Sequence, residues 1–482
     1  MKIFLPLFVA ITFNVTAQSF QLTVNNGYGS GTYNAGDTVH IWSAAIPANN
    51  VFDKWTGDVS FLESKDEWHT TVIMPSQNVS VTANFKNTGG YTIQHESLMG
   101  RDTLKEVYSY FPPVYRGVIF CFHGTGGSAT NWTTLFEYKQ FLNDAVADSF
   151  AFIITESEET TKQADLNANG KTNQWNYLPY DSTNVDFANI KILIDTFTQR
   201  GKINAATPLY SVGMSNGGAF SSTIATFYKW DAAVSYCASA TQLLASVTTV
   251  PIQWCMAVHD EHPQVGPQGN AEALSNHNTL LSRGICSNYF AHDRSPVYPE
   301  RFMRIGSITS TKSANLFAEL QSHNLLDANN YLLYPSDTIA QRILAAPLTF
   351  PTFLSLTATE KIFVANEVDV MYAGHQFYSD YNKKTLKFFR SPCDTAEVPT
   401  TVPEVVEKRN ELHVYPNPVK NSLNIETANI SAAEEVLVFD ILGNKVLSER
   451  ISEKQFSLST TALHPGVYFI KVGNQVKRVI KE

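Results

Sequence analysis

The chain has 482 residues, more than one ordinary domain and enough for about three. Its formal net charge is -9, and no basic cluster offsets it, which argues against nucleic acid as the natural partner. Hydrophobic residues make up 44% of the chain, enough for sizeable cores, yet no internal run is long and apolar enough to span a bilayer as a helix.

Residues 1–17 read as a secretory signal: Lys2 supplies the positive start, residues 3–13 the short apolar run, and Val15, Thr16 and Ala17 the small residues ahead of Gln18. Residues 18–86 read as a small β domain. Short alternating runs around Leu22, Val39, Phe52 and Val81 are separated by Gly, Asn and Asp turns. Its Trp42, Trp55 and Trp68 are either core aromatics or a flat sugar- or polymer-binding face. Residues 91–392 alternate apolar strands with helical stretches and read as α/β.

Within that region an apolar strand from Gly117 to Phe122 runs into His123-Gly124-Thr125-Gly126-Gly127. A glycine-rich turn leaving a strand can aim backbone N–H groups at a developing oxyanion without side-chain obstruction, which makes the Thr125 amide a candidate donor. Further on, Asp165, Asn167, Asn169, Gly170 and Asn173 match the opening of a calcium loop, with Asn176 where the closing Glu belongs. The alternatives are a structural Ca²⁺ site and a polar surface loop.

Ser215 is bracketed by Gly213 and Gly217, after an apolar stretch and before a small-residue run that can start a helix. That is the pattern of a nucleophile elbow, a strand-to-helix turn too sharp for any Cβ beside the serine. The Asn216 amide, next in the chain, is the second oxyanion donor. A later strand-like run ends in His259-Asp260-Glu261-His262, where a triad acid belongs; Asp260 is the first choice and the adjacent Glu261 the alternative. Of the five histidines after Asp260, His375 follows a short strand-like run, Val368 to Tyr372, and Gly374. It precedes a final helix that Ser379 or Asp380 would cap. The order Ser, Asp, His is the one this elbow requires, and its chemistry needs no metal or redox cofactor.

There are five cysteines. Cys121, Cys237 and Cys255 lie in apolar runs and read as small buried hydrophobes. Cys286 and Cys393 lie in polar surroundings and are the expected disulfide, since export permits one. Residues 393–411, with Pro399 and Pro403, read as a linker, and residues 412–482 as a small β-sandwich.

Three resemblances follow from these motifs. Residues 18–86 resemble the bacterial β-repeat related to internalin B. Residues 91–392 resemble the α/β-hydrolase branch of secreted feruloyl esterases and polyhydroxybutyrate-depolymerase-like esterases. The likeness rests on Gly213-Met214-Ser215-Asn216-Gly217-Gly218, the His123–Gly127 loop, Gly374-His375, Gln174-Trp175-Asn176, and Asn184, Asp186 and Phe187. It implies a mostly parallel sheet with helices on both faces, a Ser215–His375–Asp260 triad, and Trp175 at the substrate. The chain departs from that family in the long stretch between Asp260 and His375, which would supply a lid or substrate wall. Residues 412–482, with Val414-Tyr415-Pro416-Asn417-Pro418 and Gly466-Val467-Tyr468, are similar to the C-terminal sorting domain of the type IX (Por) secretion system of Bacteroidetes. That likeness implies passage through the type IX machinery, followed by release or surface attachment. The expected partner is an ester, either an aryl or acetyl ester of the plant wall or a polyester such as polyhydroxyalkanoate, and an insoluble polymer is among the candidates. The competing reading is a secreted polymer-binding or adhesion protein on an inactive hydrolase scaffold.

Overall fold

The computed structural model describes residues 18–392, 413–426, 434–440, 445–451, 453, 455–472 and 475–481. The expected signal segment and the linker 393–411, Cys393 included, lie outside the described residues. The chain divides into two units, Met1–Ala396 and Glu397–Glu482.

In the larger unit, five buried and mostly apolar runs and three more polar strands between residues 91 and 392 assemble one eight-stranded sheet. From one edge the order is Gln94–Met99, Leu104–Tyr110, Ala151–Ile154, Val118–Phe122, Leu209–Met214, Ala232–Tyr236, Ile252–Ala257 and Ser287–His292. The last six are parallel to their neighbours, and the first two are antiparallel. This is the α/β-hydrolase fold. Strand alternation sends Val118, Phe120 and Phe122 to one face, against helices Val185–Gln199 and Asn216–Tyr228. It sends Ile119 and Cys121 to the other, against Phe136–Ala147 and Asn382–Arg390. Each fully buried Phe of this strand contributes about 2 kcal/mol of transfer free energy. The chain steps from Val118–Phe122 to Ala151–Ile154 on one side and then back to Leu209–Met214 on the other. That reversal opens a crevice at the C-terminal ends of the two central strands, where sites on such sheets form.

The N-terminal domain pairs a four-stranded sheet (Gly31–Asn34, Ser19–Asn25, Val79–Asn87, Asn50–Gly57) with a three-stranded one (Gly27–Tyr28, Thr38–Ser43, His69–Ile73). Trp42, Trp55 and Trp68 are all buried in and around its core, so they form no exposed binding face. A domain this short has little else to bury. Among the described residues, Cys121, Cys237 and Cys255 are buried free thiols and Cys286 is disulfide-bonded. Cys393, its expected partner, falls outside them. No helix among the described residues is long and apolar enough to cross a membrane.

The stretch between Asp260 and His375 builds a helical layer with its own core, including Val297, Phe302, Leu316, Leu320, Phe350 and Phe363. Its last helix, Ala358–Tyr372, corrects the strand expected over Val368 to Tyr372. Alternating Val368, Val370 and Tyr372 favour a strand locally, but tertiary packing overrides this. Phe363, Glu367 and Val370, and Val364, Val368 and Met371, are buried at helical spacing, and a Thr357–Glu360 capping box starts the helix. The final helix, Asn382–Arg390, has no side-chain cap; Ser379 and Asp380 lie in a preceding 3₁₀ turn and bond elsewhere.

The C-terminal unit has antiparallel sheets of three and four strands around a core of Val419, Leu423, Ile425, Val436, Val438, Leu458 and Ile470.

Thr357→Ala removes the capping box of the helix that delivers His375. It is expected to lower stability by about 1 kcal/mol, read as a lower urea midpoint with unchanged slope.

Candidate active site

Ser215 ends the Leu209–Met214 strand and caps the Asn216–Tyr228 helix, with φ 55° and ψ -125°. A β-carbon on Gly213 would lie 2.1 Å from Gly217 O, and one on Gly217 would lie 2.3 Å from His123 O. Only glycine fits at either point, so the elbow is built into the sequence. The Ser215 amide bonds Tyr236 O at 2.8 Å, tying the turn to the next strand.

His375 Nε2 lies 2.9 Å from Ser215 Oγ, and His375 Nδ1 lies 2.7 Å from Asp260 Oδ2. An ionised carboxylate only accepts, so Nδ1 carries the proton and Nε2 is free to take one from the serine. The Asp260 side chain is fully buried, and its other oxygen accepts the His262 amide at 2.9 Å. Glu261 is exposed and accepts instead from Tyr372 Oη at 3.1 Å. Of the two adjacent carboxylates, only Asp260 meets the histidine.

Gly124 packs against Ser215: a β-carbon there would lie 3.4 Å from Ser215 Cβ. His123 Nδ1 donates to Gly124 O at 2.8 Å, and the Gly127 amide donates to the same oxygen at 3.1 Å. In a trans peptide this turns the Thr125 N–H the opposite way. Among the described residues, neither the Thr125 nor the Asn216 amide has an acceptor, so both are free for an oxyanion. His123 is fully buried and accepts the Ser157 amide on Nε2 at 3.2 Å; burial pushes its pKa down to about 4. It is a neutral fixture of the loop.

Trp175 is 1% exposed, which corrects its expected place at the substrate. Its ring stacks on Phe220, and its indole N–H donates to His123 O at 3.1 Å. Its amide donates to Asn216 Oδ1 at 2.6 Å, while Asn216 Nδ2 donates back to Trp175 O at 3.1 Å. Gln174 Nε2 donates to Thr125 Oγ1 at 2.9 Å. This segment therefore braces both Thr125 and Asn216. The exposed Tyr177 that follows comes nearer the site, and Asn216 Nδ2 reaches its Oη at 3.4 Å.

Three neighbours had no sequence signal. The His262 ring stacks on His375 with centroids 4.4 Å apart. Cys237, Asp260 and His375 offer donor atoms within 4.8 Å of one another. Cys237 is buried, its Sγ lies 3.6 Å from Gln376 O, and burial pushes its thiol pKa up, so it stays neutral beside the triad. An open groove of ≈ 410 Å³, lined by residues including Glu261, His262, Val265, Gln268 and Glu272, adjoins the His262 that stacks on His375.

The expected calcium loop closes on itself. Asp165 accepts the Asn169 and Gly170 amides, Asn167 Oδ1 the Asn169 amide, and Asn169 Oδ1 the Lys171 amide. Asn167 Nδ2 donates to Asn176 Oδ1 at 2.5 Å, and the Gly126 amide takes Asn173 O at 3.2 Å. The Asp165, Asn167 and Asn169 oxygens are engaged by the loop's own N–H groups, and only the buried Asn173 Oδ1 has no partner; one carboxylate and one unengaged amide oxygen do not fit a hard dication. The loop buttresses the Gln174–Asn176 segment and Gly126.

Residues 413–482 match the family model of the secretion system C-terminal sorting domain, and residues 20–89 that of the divergent InlB B-repeat domain. The sorting domain directs the chain through type IX export, to the cell surface or beyond. No curated protein matches the chain. Similar solved structures include a ferulic acid esterase (10% identity, 42% of this chain and 90% of that one, TM-score 0.33). Others are the dienelactone hydrolase of Anabaena variabilis (15% identity, 48% and 99%, TM-score 0.33) and a carboxyl esterase from Bacillus coagulans (10% identity, 42% and 91%, TM-score 0.32). At these scores the likenesses carry no argument about activity.

Asp260→Asn is expected to lower kcat about 10⁴-fold by presenting the wrong His375 tautomer, with Glu261→Gln within about threefold of wild type. A second expectation concerns acid. His123 takes up its proton near 6.5 when unfolded and only near 4 when folded, so the unfolded state binds more protons between those values. Stability therefore falls as pH drops through that window, by on the order of 3 kcal/mol from this group. His123→Asn should flatten the fall of the urea midpoint between pH 6.5 and 4.

Proposed function

We propose that this chain is an exported serine esterase that cleaves carboxylic esters of a polymeric or plant-wall substrate. The observation that carries the reading is the unbroken line Asp260 Oδ2–His375 Nδ1, His375 Nε2–Ser215 Oγ, ending beside two acceptor-free amides. Ser215 Oγ attacks the ester carbonyl carbon while His375 Nε2 takes its proton. The carbonyl electron pair moves onto oxygen, where the Thr125 and Asn216 N–H groups hold it. Collapse breaks the bond to the alcohol oxygen, and the His375 imidazolium returns the proton to that leaving group. Water, activated by His375, then releases the acyl group from Ser215. Asp260 keeps the imidazole in its tautomer and balances the imidazolium charge. Its complete burial makes that interaction stronger than it would be in water.

Polymeric esters suit an enzyme exported from the cell, with the exposed Tyr177 beside Asn216 and an open groove next to His262. A buffer series of p-nitrophenyl acyl esters, methyl ferulate and polyester film separates the candidate substrates.

Ser215→Ala should cut kcat by roughly 10⁴-fold or more and abolish fluorophosphonate labelling, with circular dichroism unchanged. If a folded wild-type chain takes no label, the scaffold is inactive. In the wild type, kcat/KM should rise with pH along a limb of a single ionisation, because His375 must be neutral to accept the serine proton.

A further inference from the structure

The loop that carries His375 is fastened a few residues later, and the N-terminal repeat domain supplies two of the fastenings. The Ser379 amide donates to Glu137 Oε2 at 2.6 Å, and Arg304 Nη2 donates to Ser379 Oγ at 3.1 Å. Arg304 Nη1 also bonds Glu137 Oε1 at 2.6 Å and Glu367 Oε1 at 2.8 Å. Trp68 of the repeat domain covers this guanidinium, whose carbon sits 3.8 Å from the ring centroid. One residue further on, Asp380 Oδ2 pairs with His69 Nδ1 of the same domain at 3.0 Å. His69 Nε2 continues to His40 Nδ1 at 3.0 Å, and His40 Nε2 to Tyr331 Oη at 3.3 Å, in the helical layer that delivers the base.

These contacts are buried: Trp68 is 7% exposed, and the Asp380 and Arg304 side chains 5% and 8%. A carboxylate out of water needs partners. Burial pushes the Asp380 pKa up, but the His69 hydrogen bond and the charges of His292, His69 and Arg301 bring it well below the usual carboxylate range. Its Oδ1 has no partner, so loss of His69 leaves a buried charge with no side-chain hydrogen bond on the His375 loop. Trp42 is likewise engaged inside the chain, with its ring centroid 4.0 Å from that of Tyr298. The His and Trp side chains that a separate binding module would offer to a polymer are spent on the hydrolase.

We propose that the repeat domain braces the catalytic base, with His69 and Trp68 as positioning residues that fix Asp380, Arg304 and Ser379 and, through them, His375. The inference rests on the esterase reading for its kinetic consequence and on the contacts alone for its structural one.

The test uses the full chain and three measurements: kcat and KM on p-nitrophenyl acetate, amide hydrogen exchange of the peptide covering 374–381, and thermal midpoint. His69→Ala and Trp68→Leu should lower kcat about tenfold with KM within twofold, as expected for a loosened base. Both should speed exchange in that peptide. His69→Gln keeps a donor for Asp380 and should recover most of the loss. Val24→Ala weakens the repeat core away from these contacts and should lower the thermal midpoint while leaving kcat and exchange at 374–381 unchanged. Three outcomes overturn the brace: a folded His69→Ala or Trp68→Leu with wild-type kcat and exchange, Val24→Ala reproducing both effects, or His69→Gln no better than His69→Ala. A wild-type chain that neither turns over the ester nor takes the fluorophosphonate would end the esterase reading only. The exchange comparison would still decide the brace.

Discussion

A serine held at φ 55° is strained in any loop, by about 1–3 kcal/mol, and keeps that conformation only where its surroundings over-determine it. Here they do so through close backbone approach. Gly213 meets Gly217, Gly217 meets the carbonyl of His123, and the Ser215 amide is fastened to Tyr236. Three adjacent strands are thereby locked in register at their C-terminal ends. The oxyanion loop leaves one of them, the nucleophile sits on the second, and the strand beyond the third leads to Asp260. The site's geometry is the sheet's geometry, and a side chain at either glycine would undo both.

Around this fixed point the groups divide by how much freedom they have. Asp260 is on a short loop and fully buried, so its charge acts through a poorly screened medium on a single partner. His123, also buried and neutral, does no proton transfer; it sets a carbonyl so that the next amide faces the other way. His375 arrives at the end of a 15-residue helix belonging to the helical layer. It is the triad member whose position depends most on packing far along the chain. Buried ion pairs at Arg304 then look less like a contribution to stability, where such pairs roughly break even, than like a means of holding one loop in one place.

Local pattern was enough to place the turn at Ser215 and the glycine-rich His123–Gly127 loop at strand ends, because their glycines mark sharp turns and close backbone approach. It left Asp260 and Glu261 as alternatives that only the packing separates. The centre of the large sheet was legible because its strands are short buried runs, mostly apolar, unlike the polar edge strands Gln94–Met99 and Ser287–His292. What the pattern missed depended on partners distant in sequence. Val368 to Tyr372 alternates like a strand, yet burial by the helical layer decides in favour of helix. Trp175 beside a catalytic motif suggests a substrate contact, yet Phe220 and His123 O claim its ring and its N–H. Asp165 to Asn176 has the spacing of a cation loop, yet the Asp165, Asn167 and Asn169 oxygens are satisfied by its own amides. The stacking of His262 on His375 comes from a turn that no periodicity announces.

The same argument bears on what a domain boundary means. By sequence the repeat domain is a self-contained module, and its fold is indeed its own two sheets. Its energetics are not separable in that way. A short β domain buries a small core, and much of its aromatic and histidine surface is committed to Arg304, Tyr298 and Asp380. Cutting the chain at that boundary would expose Trp68 and leave Asp380 without its hydrogen-bond partner. The cost would fall on the segment next to the base rather than on a distant surface. A module recognised by pattern packs here against the segment that follows His375, so its separate fold is no guide to its mechanical independence in this chain.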